Sequence, residues 1–527
     1  MTMGATNQLN REDNPALVWA GALIAAGIGA YIMFDAVPGV NWGIWVAASS
    51  VGLALVARAR GTLGTPTLLM LGTATVLAAG AAVTADPTIT ALICLSVMLF
   101  LALSMLLAID SRLVRLSAVF VIASPFVAAG NALGETFRRL VGLSGNFRSP
   151  RARGVVRGAV ITIPIVLFFA LLLAAADPLF ATWRDEIGRI IETWSFIPRF
   201  IFFIVLSVIV LGAYSYAARS EVAAVPATPM TSSIDRGDTD RWLGATERLI
   251  LLSSVTALFW LFIAVQLSYL FGNAPRMAGS GMTFAEYARR GFGELSIVAT
   301  CSVLLILVSE RFGRLNGHES RVRALTIALL IAVAIILMSA FYRVSLYEAA
   351  YGYTVSRLYA QVYMLVVGAA LIAVAVAVFG TLDMDVLFRR VFAVAVAAFG
   401  VLIFWNHEGW IAAENIDRYR TTGKLDVVYI TRDLSPNAIP VIVSKLSVLP
   451  EPVRTELHDA ILKRYGDARR VYEDRWFEWN LHRTQSRAAL ASLGIPLKGS
   501  SPATALPVLK SQQDLRVDPV VVSDVTR

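Results

Sequence analysis

The sequence predicts an all-α polytopic transmembrane helix bundle that is followed by a small helical C-terminal domain and a disordered tail. Of its 527 residues, 57% are hydrophobic and 16% are charged, whereas soluble proteins are about half apolar and roughly a quarter charged. Apolar runs of 17–24 residues recur, long enough to cross a hydrocarbon core about 30 Å thick as helices. Eleven spans are predicted at 17–34, 40–57, 66–84, 88–109, 155–176, 196–217, 249–271, 290–309, 322–342, 357–379 and 389–406.

Loop charge decides how the further run 116–134, which contains Pro125, is interpreted. Cytoplasmic loops carry an excess of Lys and Arg. If 116–134 is re-entrant or interfacial and the N-terminus is cytoplasmic, the inner loops carry twenty arginines and the outer loops eight. A full crossing would move the six arginines between 138 and 157 outside. We therefore predict eleven spans, with twelve as the alternative, and a C-terminal domain on the extracytoplasmic side.

Composition divides the chain into five segments. Polar residues with Pro226 and Pro229 separate two apolar regions, which is typical of a flexible linker. Beyond the last span, Gly423 is a helix stop signal and Ser435–Pro436 a helix start signal. The predicted segments are an N-terminal bundle at 1–218, a cytoplasmic linker at 219–247, a C-terminal bundle at 248–406, a soluble helical domain at 407–490 and a disordered tail at 491–527.

The stretch YRVSLYEAAYGYTVSRLYAQVY at 342–363 places charges and tyrosines between two apolar runs. Arg343 ends the ninth predicted span and Arg357 begins the tenth. Between them, Gly352 suits a helix C-terminus and Thr354 suits the N-cap of the next helix. The sequence therefore predicts a tight helix–turn–helix on the outer side.

Four predicted spans bring polar side chains to this same layer. Ionisable groups in membrane helices normally face the bundle interior and pair. One interpretation is an outward-facing polar pocket for an anionic or hydroxyl-rich ligand such as a lipid headgroup. The other is a structural network in which Glu348 pairs with Arg343 or Arg357 and so joins the helices. The candidate ligand-binding residues are Arg357, Gln361, Arg343, Glu348, Glu294 and Gln266.

A cluster of six arginines between 138 and 157 has no acid within it. Such a cluster attracts anionic lipid at about 1 kcal/mol per charge near the surface, or serves only as a topology determinant. The candidate headgroup-binding residues are Arg138, Arg139, Arg148, Arg151, Arg153 and Arg157.

Several other kinds of site are not predicted. His407-Glu408 lacks the second histidine of an H-E-x-x-H zinc site, so we expect no metal, no cofactor and no catalytic residue. Walker and dinucleotide-binding motifs are absent from the sequence. Cys94 and Cys301 fall inside predicted spans, which excludes a disulfide framework. The net charge of +9 follows from the positive-inside loops, so no nucleic-acid partner is expected.

Several polar and aromatic motifs recur between and after the apolar runs. They are QLSYLFG (266–272), GMTFAEYARRGFGEL (281–295), YRVSLYEAAYGYTVSRLYAQVYM (342–364), NIDRYRTTGKLDVVYITRDLSPNAIP (415–440), WFEWNLHRTQSRA (476–488) and ADPLF (176–180). Together these motifs resemble the bacterial membrane families called domains of unknown function 4153 and 4173. The resemblance covers roughly 155–490, with 248–406 as its core. It implies a multi-pass protein of the bacterial cytoplasmic (inner) membrane, and it implies no activity and no catalytic residues.

Three functions are compatible with this sequence. The leading hypothesis is an integral membrane protein that binds or moves a polar or lipid-like ligand through the outward-facing pocket without ATP hydrolysis. The alternative is a membrane-embedded regulator or scaffold whose C-terminal helices dock a partner protein, and the third is an enzyme acting on a lipid-linked substrate. Neighbouring arginines would keep Glu294 and Glu348 ionised, which favours binding over acid catalysis.

Overall fold

The computed structural model describes residues 15–109, 118–143, 196–219, 243–271, 292–312, 318–378, 384–465 and 475–494, with single positions at 149, 158, 162 and 166. Within these ranges the regular elements are helices. The α-helices are α1 (Pro15–Ile32), α2 (Val40–Arg60), α3 (Thr65–Ala79), α4 (Pro87–Leu107), α5 (Ala118–Leu143), α6 (Phe196–Ala217), α7 (Ala245–Phe271), α8 (Phe292–Phe312), α9 (Glu319–Tyr351), α10 (Val355–Val378), α11 (Met384–Phe404), α12 (His407–Thr422), α13 (Ile439–Lys445), α14 (Glu451–Tyr465) and α15 (Leu481–Ser492). Short helical turns lie at Gly80–Ala82, Tyr429–Asp433, Pro436–Ala438, Leu446–Val448 and Trp476–Glu478.

Ten of these helices, α1–α4 and α6–α11, are long and apolar enough to cross a membrane. They correspond to ten of the eleven predicted spans, and the predicted all-α polytopic bundle is confirmed. The protein is therefore a multi-pass membrane protein. The remaining predicted span, 155–176, lies outside the described residues except for positions 158, 162 and 166. Most of the predicted linker and the predicted tail beyond 494 also lie outside them.

Helix α5 contains most of the run 116–134 and is not among the ten spans. It is one helix of 26 residues with Pro125 inside it, and it packs along α6. The hydroxyl of Thr136 donates to the Val208 carbonyl at 2.8 Å. A re-entrant or interfacial placement of this segment stays a prediction.

The N-terminal bundle is built from α1–α6, and α6 runs antiparallel to α1. A side chain at Gly21 would meet Tyr214, and one at Gly29 would meet Leu206, so α1 and α6 approach closely along their length. The Tyr214 hydroxyl donates to the Ser49 carbonyl at 2.7 Å and ties α6 to α2. This buried phenol therefore has the partner that a polar group needs in an apolar interior.

The C-terminal bundle is centred on α9, which packs against α7, α8 and α10. Helix α11 packs along α10 and also contacts the N-terminal bundle, where the rings of Phe392 and Phe100 lie 5.9 Å apart. At the end of the bundle where α7 begins, the buried Arg248 pairs with Glu310 and donates to Ser309 at 3.1 Å. Helix α11 therefore contacts both bundles.

Residues 407–465 and 475–494 form a helical layer, here called the cap, over one end of the bundle, here called the cap end. The turns α1–α2, α3–α4 and α9–α10 and the end of α11 all lie there. The Val40 amide donates to the Trp479 carbonyl at 3.0 Å, and the Val37 amide donates to Glu478 at 3.0 Å. Cap and bundle share one hydrophobic core, in which Ile89 of α4 and Ile439 of α13 both belong to the same cluster.

The predicted helix signals of the cap are confirmed. Helix α12 ends at Gly423, whose φ of 65° is left-handed and favours glycine. The Ser435 side chain accepts a hydrogen bond from the Asn437 amide and so caps the turn that Pro436 begins. Local turn chemistry therefore sets these boundaries, as the sequence indicated.

Contacts with the cap show in which direction several helices run. Helix α1 ends at the cap end, where Tyr31 contacts Phe477 with ring centroids 5.9 Å apart. Its antiparallel neighbour α6 therefore begins at the cap end, and α4 also begins there. The choice between eleven and twelve spans, and the compartment that the cap faces, stay predictions.

Candidate functional site

The predicted turn between the ninth and tenth spans is present between α9 and α10. Gly352 has φ 90° and ψ 175°, a conformation that is essentially confined to glycine. Asn415 of the cap clamps the turn, because its Oδ1 accepts from the Tyr353 amide at 2.9 Å and its Nδ2 donates to the Tyr353 carbonyl at 2.8 Å. The cap therefore holds this turn directly.

We expect Gly352→Ala to destabilise the protein by about 1–3 kcal/mol, the cost of a strained backbone. A Cβ atom there would also lie 2.4 Å from Asn415 Oδ1. Gly400→Ala in α11 is the matched control, because nothing lies within 4 Å of its added Cβ and alanine is the better helix former. Thermal unfolding in detergent measures both variants, and equal melting temperatures would contradict the tight turn.

Glu348 has a different partner from the arginines that the sequence predicted. Its carboxylate, 5% exposed, accepts a hydrogen bond from Gln361 Nε2 at 2.7 Å. Within the described residues it forms no ion pair with Arg343 or Arg357. For Arg343 the reason is geometric, because residues five apart on a helix are rotated by about 140°, whereas neighbours on one face are three or four apart. Arg357 lies on the next helix, where its charge attracts the Glu348 carboxylate without forming an ion pair.

Arg357 is held by groups that carry no negative charge. Its guanidinium lies over the Tyr347 ring, 4.0 Å from the centroid, and its Nη1 donates to the Gly352 carbonyl. Within the part of the chain that the structure describes, no carboxylate pairs with it. Arginine has five N–H donors in a fixed fork, so most of these donors lack a protein acceptor among the described residues.

The remaining pocket candidates divide between two sides of α9. Gln266, 8% exposed, accepts from the Ser339 hydroxyl at 3.1 Å, and its buried Nε2 has no hydrogen-bond partner among the described residues. Ser339 and Glu348 are nine residues apart, which is about half a turn around the helix. Arg343 lies one turn beyond Ser339 on the Gln266 side, and Glu294 is exposed in the first turn of α8. The predicted layer of polar side chains is therefore divided into two separate contacts, Gln266–Ser339 and Gln361–Glu348.

Of the predicted headgroup-binding arginines, two are described. Arg138 pairs with Glu135 at 2.5 Å, and Glu135 also pairs at 2.8 Å with Arg219, two residues after the end of α6. Arg139 lies beside Arg138 on α5. The other four, Arg148, Arg151, Arg153 and Arg157, lie outside the described residues.

Sequence reasoning missed a buried polar cluster at the contact between cap and bundle, here called the seam. Asp86 caps α4, since its Oδ1 accepts from the Thr88 amide at 2.7 Å. Its Oδ2 lies 3.1 Å from Tyr359 Oη and 3.8 Å from His407 Nε2. Tyr359 Oη is also 3.3 Å from His407 Nε2. The three residues come from α4, α10 and α12, so no local motif could have joined them.

Glu408, next to His407, points to a different part of the seam. It accepts from the Ser435 amide at 2.8 Å and from the Ser435 hydroxyl. Burial raises the pKa of Glu408 to about 7, although the hydrogen bonds from Ser435 act in the opposite direction. Among the described residues, no group of three His, Cys, Asp or Glu side chains is arranged to hold a metal ion.

The family model described as a domain of unknown function (DUF4153) matches residues 71–444. No curated protein and no solved structure matches the chain. The match confirms the resemblance to family 4153, and it begins within α3, earlier than the motifs indicated, and ends within α13. It takes in the α9–α10 turn and the Asp86–Tyr359–His407 cluster.

Proposed function

The chain belongs to the DUF4153 family and is an integral membrane protein, and we propose that it binds or moves a polar or lipid-like ligand without ATP hydrolysis. The ligand's anionic group is held by Arg357 at the cap end of the bundle. On the predicted topology, this end faces the extracytoplasmic side.

The proposal depends on the contacts of the Arg357 guanidinium. Stacking on Tyr347 and the bond to the Gly352 carbonyl orient it, so little side-chain freedom is left to lose on binding. Its planar fork matches a phosphate or carboxylate through two parallel hydrogen bonds. An oriented arginine without an acid partner in the described chain is suited to receive an anion.

The residues below Arg357 favour a ligand with hydroxyl groups behind the anion. Gln361 lies one turn deeper on α10 and is bonded to Glu348. A carboxylate at that depth repels a second negative charge and accepts hydrogen bonds from hydroxyls. We therefore place the anionic group at Arg357 and any hydroxyls toward Gln361 and Glu348.

Native mass spectrometry of the purified protein tests this proposal. A charged hydrogen bond contributes about 1.5–3 kcal/mol, so Arg357→Ala should retain about ten- to a hundredfold less of a co-purifying anionic ligand. Its stability should fall by only about 1–2 kcal/mol, because the stacking on Tyr347 and the hydrogen bond to the Gly352 carbonyl are lost but no ion pair is broken. Arg420→Ala, an exposed arginine of the cap, is the charge-matched control. Equal retention by wild type and Arg357→Ala would refute the proposal.

A regulator or scaffold that docks a partner on the C-terminal helices is the alternative. The inner face of those helices is buried against the bundle, where Ile411 and Leu490 are fully covered. Only the outer face is left for a partner, and its exposed Val428 and Val448 are the kind of scattered apolar residues that ordinary surfaces carry. No specific contact in the described chain favours this alternative.

A further inference from the structure

The Asp86–Tyr359–His407 cluster plays no part in the proposed ligand site. Asp86 is 4% exposed and His407 is 1% exposed, so neither side chain meets bulk water. Ordinary packing would place apolar residues at such a position, because buried polar groups are costly unless their hydrogen bonds are complete. The hydrogen-bond balance of the cluster therefore decides what it can do.

The neutral cluster contains one proton too few for its acceptors. His407 Nδ1 lies 3.3 Å from the Trp405 carbonyl oxygen, which only accepts, so Nδ1 carries the hydrogen of the neutral ring and Nε2 is an acceptor. Asp86 Oδ2 is a second acceptor. Both face the single hydroxyl proton of Tyr359, at 3.3 and 3.1 Å, and that proton serves one of them at a time.

One added proton completes a chain of hydrogen bonds from His407 through Tyr359 to Asp86. With a hydrogen on His407 Nε2, the imidazolium donates to Tyr359 Oη, and the Tyr359 hydroxyl donates to Asp86 Oδ2. Each atom then has a partner, and the new positive charge lies near the Asp86 carboxylate. We infer that Asp86, Tyr359 and His407 form a proton-binding site at the seam, which takes one proton at His407 Nε2.

The groups around the site determine the pH at which His407 takes up the proton. Burial lowers the pKa of His407 below its ordinary value, while the Trp405 carbonyl and Asp86 act in the opposite direction. Glu408 on the same helix, Tyr429 of the turn at 429–433 and His482 of α15 are the other titratable groups nearby. The site is therefore empty at neutral pH and fills on acidification of the compartment that the cap faces.

The position of the site connects it with the membrane helices. Tyr359 lies two residues after Arg357 on α10, and Asp86 caps α4. A proton that enters therefore changes the charge between the cap and two spans, next to the proposed ligand site. The proton site does not depend on that ligand, since its three residues make their contacts without Arg357.

Solid-state NMR of the full chain with ¹⁵N-labelled histidine tests the site, because the protein has only four histidines. His407→Gln identifies the His407 signals. If that variant does not fold, His318→Gln, His458→Gln and His482→Gln identify the other three. We expect a neutral His407 with hydrogen on Nδ1, which converts to an imidazolium on acidification, with a pKa below the ordinary value of histidine because the ring is buried.

Tyr359→Phe separates a proton site from a merely buried histidine. Without the phenolic oxygen, Nε2–H loses the acceptor that connects it to Asp86, whose Oδ2 lies 3.8 Å away, so the proton affinity of His407 should fall at least tenfold. Tyr363→Phe is the control. Tyr363 lies on the same helix as Tyr359, but its exposed hydroxyl contacts Thr300, so this variant should leave the His407 titration unchanged. A hydrogen on Nε2 in the neutral ring, or an unchanged titration in Tyr359→Phe, would overturn the inference.

Discussion

Asn480→Asp should destabilise the protein by at least about 3 kcal/mol at pH 8, since an unpaired buried charge costs about 3–5 kcal/mol. Asn480 is fully buried, and its Nδ2 donates to the Ala81 and Thr84 carbonyls, both at 2.8 Å. An aspartate of the same shape would place a carboxylate oxygen against these two carbonyl oxygens. Because cap and bundle share one core, the loss should appear in the unfolding of the whole protein.

The pH dependence of that loss identifies its cause. Protonation neutralises the new acid and gives it one donor, so the destabilisation should shrink when the pH is lowered from 8 to 5. Ser447→Asp adds a carboxylate on an exposed position of the cap and should change stability by less than about 0.5 kcal/mol. A small effect of Asn480→Asp at pH 8 would mean that the cap is not seated on the α3–α4 turn.

Glu408→Gln should make the protein more stable than wild type at pH 8, whereas Asn480→Asp should make it less stable. Burial raises the pKa of Glu408 from 4.5 to about 7, so its stabilising contribution is complete below pH 4.5 and is lost as the pH rises through about 7. A shift of this size corresponds to about 3 kcal/mol. Glutamine keeps the shape and stays neutral, so the two proteins should be equally stable near pH 4.5 and diverge up to about pH 7.

Melting temperatures between pH 4.5 and 8 measure this divergence. Glu456→Gln on α14, an exposed glutamate of the cap, is the matched control, and its profile should run parallel to wild type. Parallel profiles for Glu408→Gln and wild type would show that the Glu408 carboxylate does not carry a buried charge at high pH.

The sequence predicted features whose causes are local. Apolar run length gave ten of the spans, and turn residues such as Gly423, Ser435 and Gly352 marked where helices begin or end. These helix boundaries depend on the conformational preference of one residue and its near neighbours. Such local features can be predicted without knowledge of the packing.

Contacts between distant residues were not predictable in the same way. Nothing in the sequence brings Asp86 to His407, because the approach depends on how the cap is seated over α4 and α10. The partner of Glu348 was open to a partial prediction, since spacing alone places Arg343 on another face of α9. Its actual partner, Gln361, depends on the packing of α9 against α10.

A cryo-electron microscopy map of the protein in lipid nanodiscs that contain anionic lipid would show what binds the Arg357 guanidinium. We expect the guanidinium to stack on Tyr347, with non-protein density for an anionic group within hydrogen-bond distance of its nitrogens. A protein carboxylate bound to Arg357, or an ordered guanidinium without such density, would mean that Arg357 does not hold an anionic ligand.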